Sequence, residues 1–104
     1  MSEFTNVTII KKANIYFDGK VSSRTIKFAD GSTKTLGFML PGEYEFNTDA
    51  EELMEFMAGK LEYQLAGSSD WLSIDGEGSF AIPACSSFKL KVTEAADYCC
   101  SYID

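Results

Sequence analysis

Thr48-Asp49-Ala50-Glu51-Glu52-Leu53-Met54-Glu55-Phe56-Met57 supports two opposed readings, and the choice between them sets the fold. Its capping residues, first-turn acids and good helix formers give it the local propensity of a helix. The surroundings outweigh that propensity. Gly59 soon interrupts the run, no second helical segment exists for it to pack on, and Leu61 to Leu65 continues in strand chemistry. Read as a strand, the segment places Glu52, Met54 and Phe56 on one face, because side chains alternate across a strand.

Outward from this stretch the punctuation is of the β kind. Asp30-Gly31, Pro41-Gly42, Gly67-Ser68-Ser69-Asp70 and Asp75-Gly76-Glu77-Gly78 recur at roughly ten-residue intervals, as in sandwiches and barrels. Lys20 to Phe28 and Thr33 to Leu40 are predicted to form a hairpin about Ala29-Asp30-Gly31-Ser32, with Asp-Gly at the positive-φ positions. Tyr44 and Phe46 alternate with Glu43, Glu45 and Asn47. Phe88, Leu90 and Val92 alternate with Lys89 and Lys91, and Tyr98 to Ile103 supplies a closing strand. The predicted class is all-β.

The 104 residues are expected to form a single domain, 1–104, with residues 1–12 a loosely held segment or a first strand. Eight Phe, five Tyr and Trp71 supply its core. The net charge is −7 and the nine basic residues do not cluster, which argues against a nucleic-acid partner. Met1 to Lys12 lacks the basic start and apolar stretch of a secretory signal, so a cytoplasmic protein is expected. No apolar run approaches the ~20 residues that span a bilayer, so no membrane partner is expected. The absence of histidine excludes histidine-dependent metal or acid–base chemistry. Cys85, Cys99 and Cys100 lack C-x2-C spacing and read as reduced, structural thiols, the last two leaving their strand on opposite faces.

Short strands with a Gly-to-Gly motif resemble the cupin jelly-roll barrel, whose first motif reads G-x5-H-x-H-x3–4-E-x6-G. Gly42 opens it here, and Glu52 is followed by six residues and then Gly59. Thr48 and Ala50 stand where its histidines belong. Gly78, Pro83 and the stretch Ala84 to Val92 resemble the second motif, with Phe88 in place of its histidine. More specifically, Asn14-Ile15-Tyr16-Phe17-Asp18-Gly19-Lys20-Val21, Thr35-Leu36-Gly37-Phe38-Met39-Leu40-Pro41-Gly42-Glu43-Tyr44-Glu45-Phe46 and Asp97-Tyr98-Cys99-Cys100-Ser101-Tyr102 look like the small cupin family of pyrimidine/purine nucleoside phosphorylases. The likeness covers Ala13 to Asp104. It implies a cupin-like barrel that needs no cofactor or metal and cleaves many nucleosides with inorganic phosphate, giving free base and ribose 1-phosphate.

Phosphorolysis passes through an oxocarbenium-like sugar, so it asks for a nucleophile beneath the anomeric carbon, donors around phosphate, and a proton for the departing base. For the proton, Glu52 shares a face with Met54 and Phe56, where burial raises a carboxyl's pKa; in the rival reading Leu53 and Met57 face the core and Glu52 is solvated. For phosphate, Lys20 and Arg24 share a face near Lys27, and Arg24 offers a planar fork; such residues are also ordinary solvated charges. Tyr44, Phe46, Phe80 and Phe88 suit stacking on any base, or fill the core. Thr48 and Ser86 complete the candidate substrate-binding set, Ser86 and Ser87 serving at a pocket mouth or in a turn. The apolar Leu53, Met57 and outward face of Leu61 to Leu65 predict a homodimer. The alternative is a non-catalytic cupin that binds a small metabolite or acts as a dimeric scaffold.

Overall fold

A computed structural model describes residues 3–103; Met1, Ser2 and Asp104, the ends of the expected domain, lie outside the described residues. In chain order come β1 (Thr8–Ile9), β2 (Asn14–Tyr16), a 3-10 turn (Phe17–Gly19), β3 (Val21–Lys27), β4 (Thr33–Met39), β5 (Gly42–Asn47), β6 (Glu51–Leu65), β7 (Leu72–Asp75), β8 (Gly78–Ile82) and β9 (Ser87–Ile103). The strands form one sheet in the order β1-β3-β4-β9-β6-β7, with β2 also on β3, β5 on β9 and β8 on β6. Every pairing is antiparallel. The path ends on β1 and β7 rather than closing on itself.

The spine is β6 against β9. Along its other edge β9 gives residues 96–101 to β4 and 87–92 to β5, while β6 gives 52–56 to β8 and 60–63 to β7. Between those halves the β6–β9 register shifts at Phe56/Ala58, Ala58/Lys60 and Lys60/Leu61. Bulges bend a strand pair and increase its twist, and here they turn the two halves of the sheet toward each other. Gly59 makes the bend passable. Its φ is +118°, and a Cβ there would lie 2.6 Å from Ala96 Cα, so no L side chain fits without moving backbone.

Both halves feed one core. Met54, Phe56, Phe80, Ile82 and Tyr98 from one side meet Leu61, Phe88, Leu90 and Val92 from the other. Phe80 stands edge-on to Phe88 at 5.8 Å and lies parallel to the Tyr63 ring at 3.8 Å. This burial is what holds β6 as a strand against its helical propensity: Met54 and Phe56 meet the core only at a period of two.

The predicted all-β class and the hairpin β3–β4 are present, and residues 8 and 9 of the N-terminal segment form a first strand on Ile26 and Lys27. Three details differ. The strands expected around Phe88 and Tyr98 are one continuous strand, β9. Only Gly31 of the Asp30-Gly31 turn has positive φ, and Asp30 instead accepts hydrogen bonds from the Ser32 amide and hydroxyl. Finally, the outer face of Leu61 to Leu65 is not apolar. Even-numbered Met54 and Phe56 point inward before the bend and odd-numbered Leu61 after it, so the register shifts invert the alternation and Leu61 is buried in the core.

Candidate functional site

Between the two halves of the sheet, bordered by β2, β3, β4, β5, β6 and β9, lies a cavity of about 180 Å³. Its apolar wall comes from Met39, Phe46, Met54 and Phe88, its polar wall from Ser23, Thr35, Glu52, Tyr98, Cys100 and Tyr102, and its rim includes Tyr16 and Asn47. Strand alternation explains the set: Tyr98, Cys100 and Tyr102 are every second residue of β9, and Glu52 and Met54 of β6. Cross-strand pairing brings them together, with Tyr102 opposite Glu52, Cys100 opposite Met54, and Thr35 opposite Cys100 on the other side. Gly37 lies opposite Tyr98. A Cβ there would collide with the Tyr98 ring and the Ser22 carbonyl, so the bare glycine lets the ring lie flat across β4. The Tyr98 hydroxyl then donates to the Ser22 carbonyl at 3.4 Å.

Among the described residues Glu52 is the one carboxyl that lines this cavity, and no lysine or arginine lines it. Burial pushes its pKa up from the ordinary carboxylate value, the Asp49 charge adds to that, and a hydrogen bond from Cys100 Sγ to Oε1 at 3.4 Å pulls the other way. Burial likewise raises the Tyr98 hydroxyl and the Cys100 thiol far above their usual range and pushes Tyr102 up to about 12. All three therefore remain protonated at neutral pH and act as donors. The Tyr102 and Thr35 hydroxyls stand 3.5 Å apart. The arrangement combines a carboxyl biased toward its neutral form, a ring of neutral donors, and a flat apolar wall where Phe46 stacks on Phe88 at 5.4 Å.

Of the residues singled out in the sequence, Glu52, Phe46 and Phe88 line this cavity together. Tyr44 and Phe80 are buried beside it as packing: the Tyr44 hydroxyl donates to the Leu40 carbonyl at 2.6 Å, and Phe80 lies among aromatic rings. Thr48 and Ser86 are brought together, but against each other. The Thr48 hydroxyl donates to the Pro83 carbonyl at 2.7 Å and accepts from the Ser86 amide at 2.9 Å, clamping the turn after β5 to the loop after β8. Lys20 and Arg24 are exposed. Val21 and Ser23 take the inward positions of β3, so Arg24 points out of the fold, where its Nε donates to the Lys11 carbonyl at 3.2 Å.

Tyr16, Tyr98, Tyr102, Ser23, Thr35 and Asn47 are not among the site residues expected from the sequence, and Cys100 is read there as a structural thiol. The signal for three of them was present as the alternation Tyr98, Cys100, Tyr102, which reads as ordinary half-buried strand until its partner strand is known. Among the described residues no group of three or more His, Cys, Asp or Glu side chains is placed to share a metal ion. A larger groove of about 720 Å³ lies on the outer face, between Phe4, Leu36, Met57 and Glu77. We place the candidate site in the inner cavity because the carboxyl with a raised pKa and the convergent donors meet there.

The sequence profile described as pyrimidine/purine nucleoside phosphorylase matches residues 11–102. A relative of that name from Hydrogenovibrio crunogenus is 59% identical over 104 residues, 100% of both chains. Among solved structures, a protein of unknown function from Acinetobacter sp. ADP1 superposes with a TM-score of 0.93 at 38% identity, covering 97% of this chain and 98% of the other. The cupin domain of Schizosaccharomyces pombe Cnp3 superposes at 0.66 with 14% identity, covering 88% of this chain and 64% of that one, a likeness of fold alone. The single-domain architecture is thus cupin-like.

Proposed function

Because this chain belongs to the pyrimidine/purine nucleoside phosphorylase family, we propose that it cleaves nucleosides with inorganic phosphate in the inner cavity, releasing free base and ribose 1-phosphate, with Glu52 as the acid. The observation that carries this reading is the half-buried Glu52 carboxyl, held toward its neutral form by burial in the cavity that the stacked Phe46 and Phe88 also line. The base lies against Phe46 and Phe88, and stacking accepts purine and pyrimidine alike because every base has a π-face. That accounts for broad specificity. As the glycosidic bond breaks, its electron pair goes to the base nitrogen, which receives the proton of Glu52. A phosphate oxygen forms the new bond to the anomeric carbon from the opposite side of the sugar. The proton of hydrogen phosphate then restores Glu52, and the step balances with no metal or cofactor.

With Lys20 and Arg24 outside the cavity, the phosphate's partners are the neutral donors Ser23, Thr35, Tyr102 and Asn47. Several short hydrogen bonds from fixed donors stabilise an anion without a full countercharge. We read the working protein as a cytoplasmic homodimer whose partners are a nucleoside and phosphate.

The test is direct. Purified protein incubated with uridine or inosine is expected to release uracil or hypoxanthine only when phosphate is present, as followed by chromatography. Release without phosphate would make it a hydrolase, and no release at all would favour a non-catalytic metabolite-binding cupin. Treatment with EDTA is expected to leave turnover unchanged; a loss that zinc or iron restores would overturn the metal-free scheme.

A further inference from the structure

The carboxyl of Glu52 has a dedicated partner below it. Cys100 is buried on β9, two pairing positions from Tyr102, so it is the diagonal cross-strand neighbour of Glu52 on the same face. Its Sγ donates to Oε1 at 3.4 Å. Resting on the reading of Glu52 as the acid, we propose that Cys100 is a positioning residue: its thiol holds Oε1 and leaves the second carboxyl oxygen to carry the proton into the cavity.

Chemistry favours this division of labour. A neutral carboxylic acid has one carbonyl oxygen, which accepts, and one hydroxyl oxygen, which donates. A donor fixed at Oε1 selects the orientation with the hydroxyl toward the substrate. Cys100 suits the role because burial keeps its thiol protonated, so it donates and does not compete for the proton.

The groups around the cavity of Glu52 leave Cys100 a second task. Tyr102 and Tyr98 stand on β9, Tyr16 on β2, Thr35 on β4, Ser23 on β3 and Asp49 just before β6. Opposite Glu52 on β8 is Ile82, which is apolar. Burial and Asp49 both favour the neutral acid, and Cys100 is the partner that favours the ionised one. A weak thiol donor therefore eases proton release without forcing ionisation, which is what an acid working near neutral pH requires.

Replacing the thiol separates these effects. Cys100→Ala removes the donor and Cys100→Ser supplies a stronger one. A general acid is active while protonated, so its activity is lost as pH rises through its pKa. The alkaline fall of kcat is expected to move up by about half a pH unit in Cys100→Ala and down by a similar amount in Cys100→Ser. On the plateau below that fall, kcat is expected to drop in Cys100→Ala and to be largely restored in Cys100→Ser. A site altered only by packing would not move the two limbs in opposite directions.

The same order is read independently of turnover by titrating the Glu52 carboxyl through its carbon-13 signal, assigned by its disappearance in Glu52→Gln. Unchanged titration in both variants, or shifts of the same sign, would overturn the proposal. Should Cys100→Ala fail to fold, Cys100→Ser alone decides it, since an unchanged or upward titration contradicts the contact. Ordered titrations paired with motionless pH–rate profiles would overturn instead the assignment of Glu52 as the acid.

Discussion

Glu52 is half-buried in a cavity that no lysine or arginine lines among the described residues, so its proton is linked to folding as well as to chemistry. Burial raises its pKa in the folded chain above the ordinary value of 4.5 that the unfolded chain retains. Between those two values the folded state holds a proton that the unfolded state has lost, so stability falls as pH rises through the interval and stays lowered above it. Glu52→Gln cannot ionise and escapes that cost. It is expected to melt at a higher temperature than the parent at about pH 8 and at nearly the same temperature near pH 4, while its kcat on uridine falls roughly 10²- to 10⁴-fold. Calorimetry at the two pH values together with steady-state rates checks both parts, and an unaltered kcat would make Glu52 a bystander. Glu52 was legible because Met54 and Phe56 mark the buried face of its strand. Arg24 was not. Its strand mixes small, polar and β-branched residues on both faces, so the sequence of β3 carries no parity, and only pairing with β4 shows Val21 and Ser23 turned inward. Cys100 and its flanking tyrosines escaped for a related reason: a site made of neutral donors resembles core until the neighbouring carboxyl is placed beside it.

At the scale of elements, β6 was recognisable as a strand because a helix would have had nothing to pack on, yet its bend was invisible. A bulge is created by the pairing of distant segments, and nothing within residues 56–61 announces it except Gly59. That glycine reads equally well as the end of a helix. In the fold it sits at φ +118°, with the Ala96 backbone where its Cβ would be. Gly59→Ala therefore combines a strained backbone with a collision that no rotamer relieves, and is expected to destabilise the protein by about 3 kcal/mol or more. The spine that bends here also carries Glu52 and Cys100 in register, so the same variant is expected to lose turnover at temperatures where it remains folded. Urea denaturation measures the first effect, and a change within about 0.5 kcal/mol, the range of an ordinary surface site, would show that the bend does not depend on this residue.

Seen whole, the molecule turns a second face to its surroundings, and that face is polarised. Cross-strand pairing lines up Arg24, Leu36, Cys99 and Glu55 in one row of outward positions across β3, β4, β9 and β6. The groove over this row is lined by Lys34 and by Glu55 and Glu77, Glu3 and Phe4 also border it, and Leu36 and Met57 are exposed in it. Leu53 and Met57 had pointed to such a face in the sequence, whereas Leu61 to Leu65 had not belonged to it. A second copy related by a two-fold axis between the faces, parallel to the strands, sets each basic end against the other's acidic end and covers both apolar centres. An interface of that isologous kind is complementary to itself. Light scattering at micromolar concentration is expected to give twice the 11.5 kDa chain mass. Glu55→Lys places like charges opposite each other and is expected to weaken the dimer by about tenfold or more, while adding Lys34→Glu to it restores the pairing with signs exchanged. A parent protein that scatters as a monomer would rule out the dimer. A double variant that dissociates as readily as Glu55→Lys alone would instead place the interface on another face.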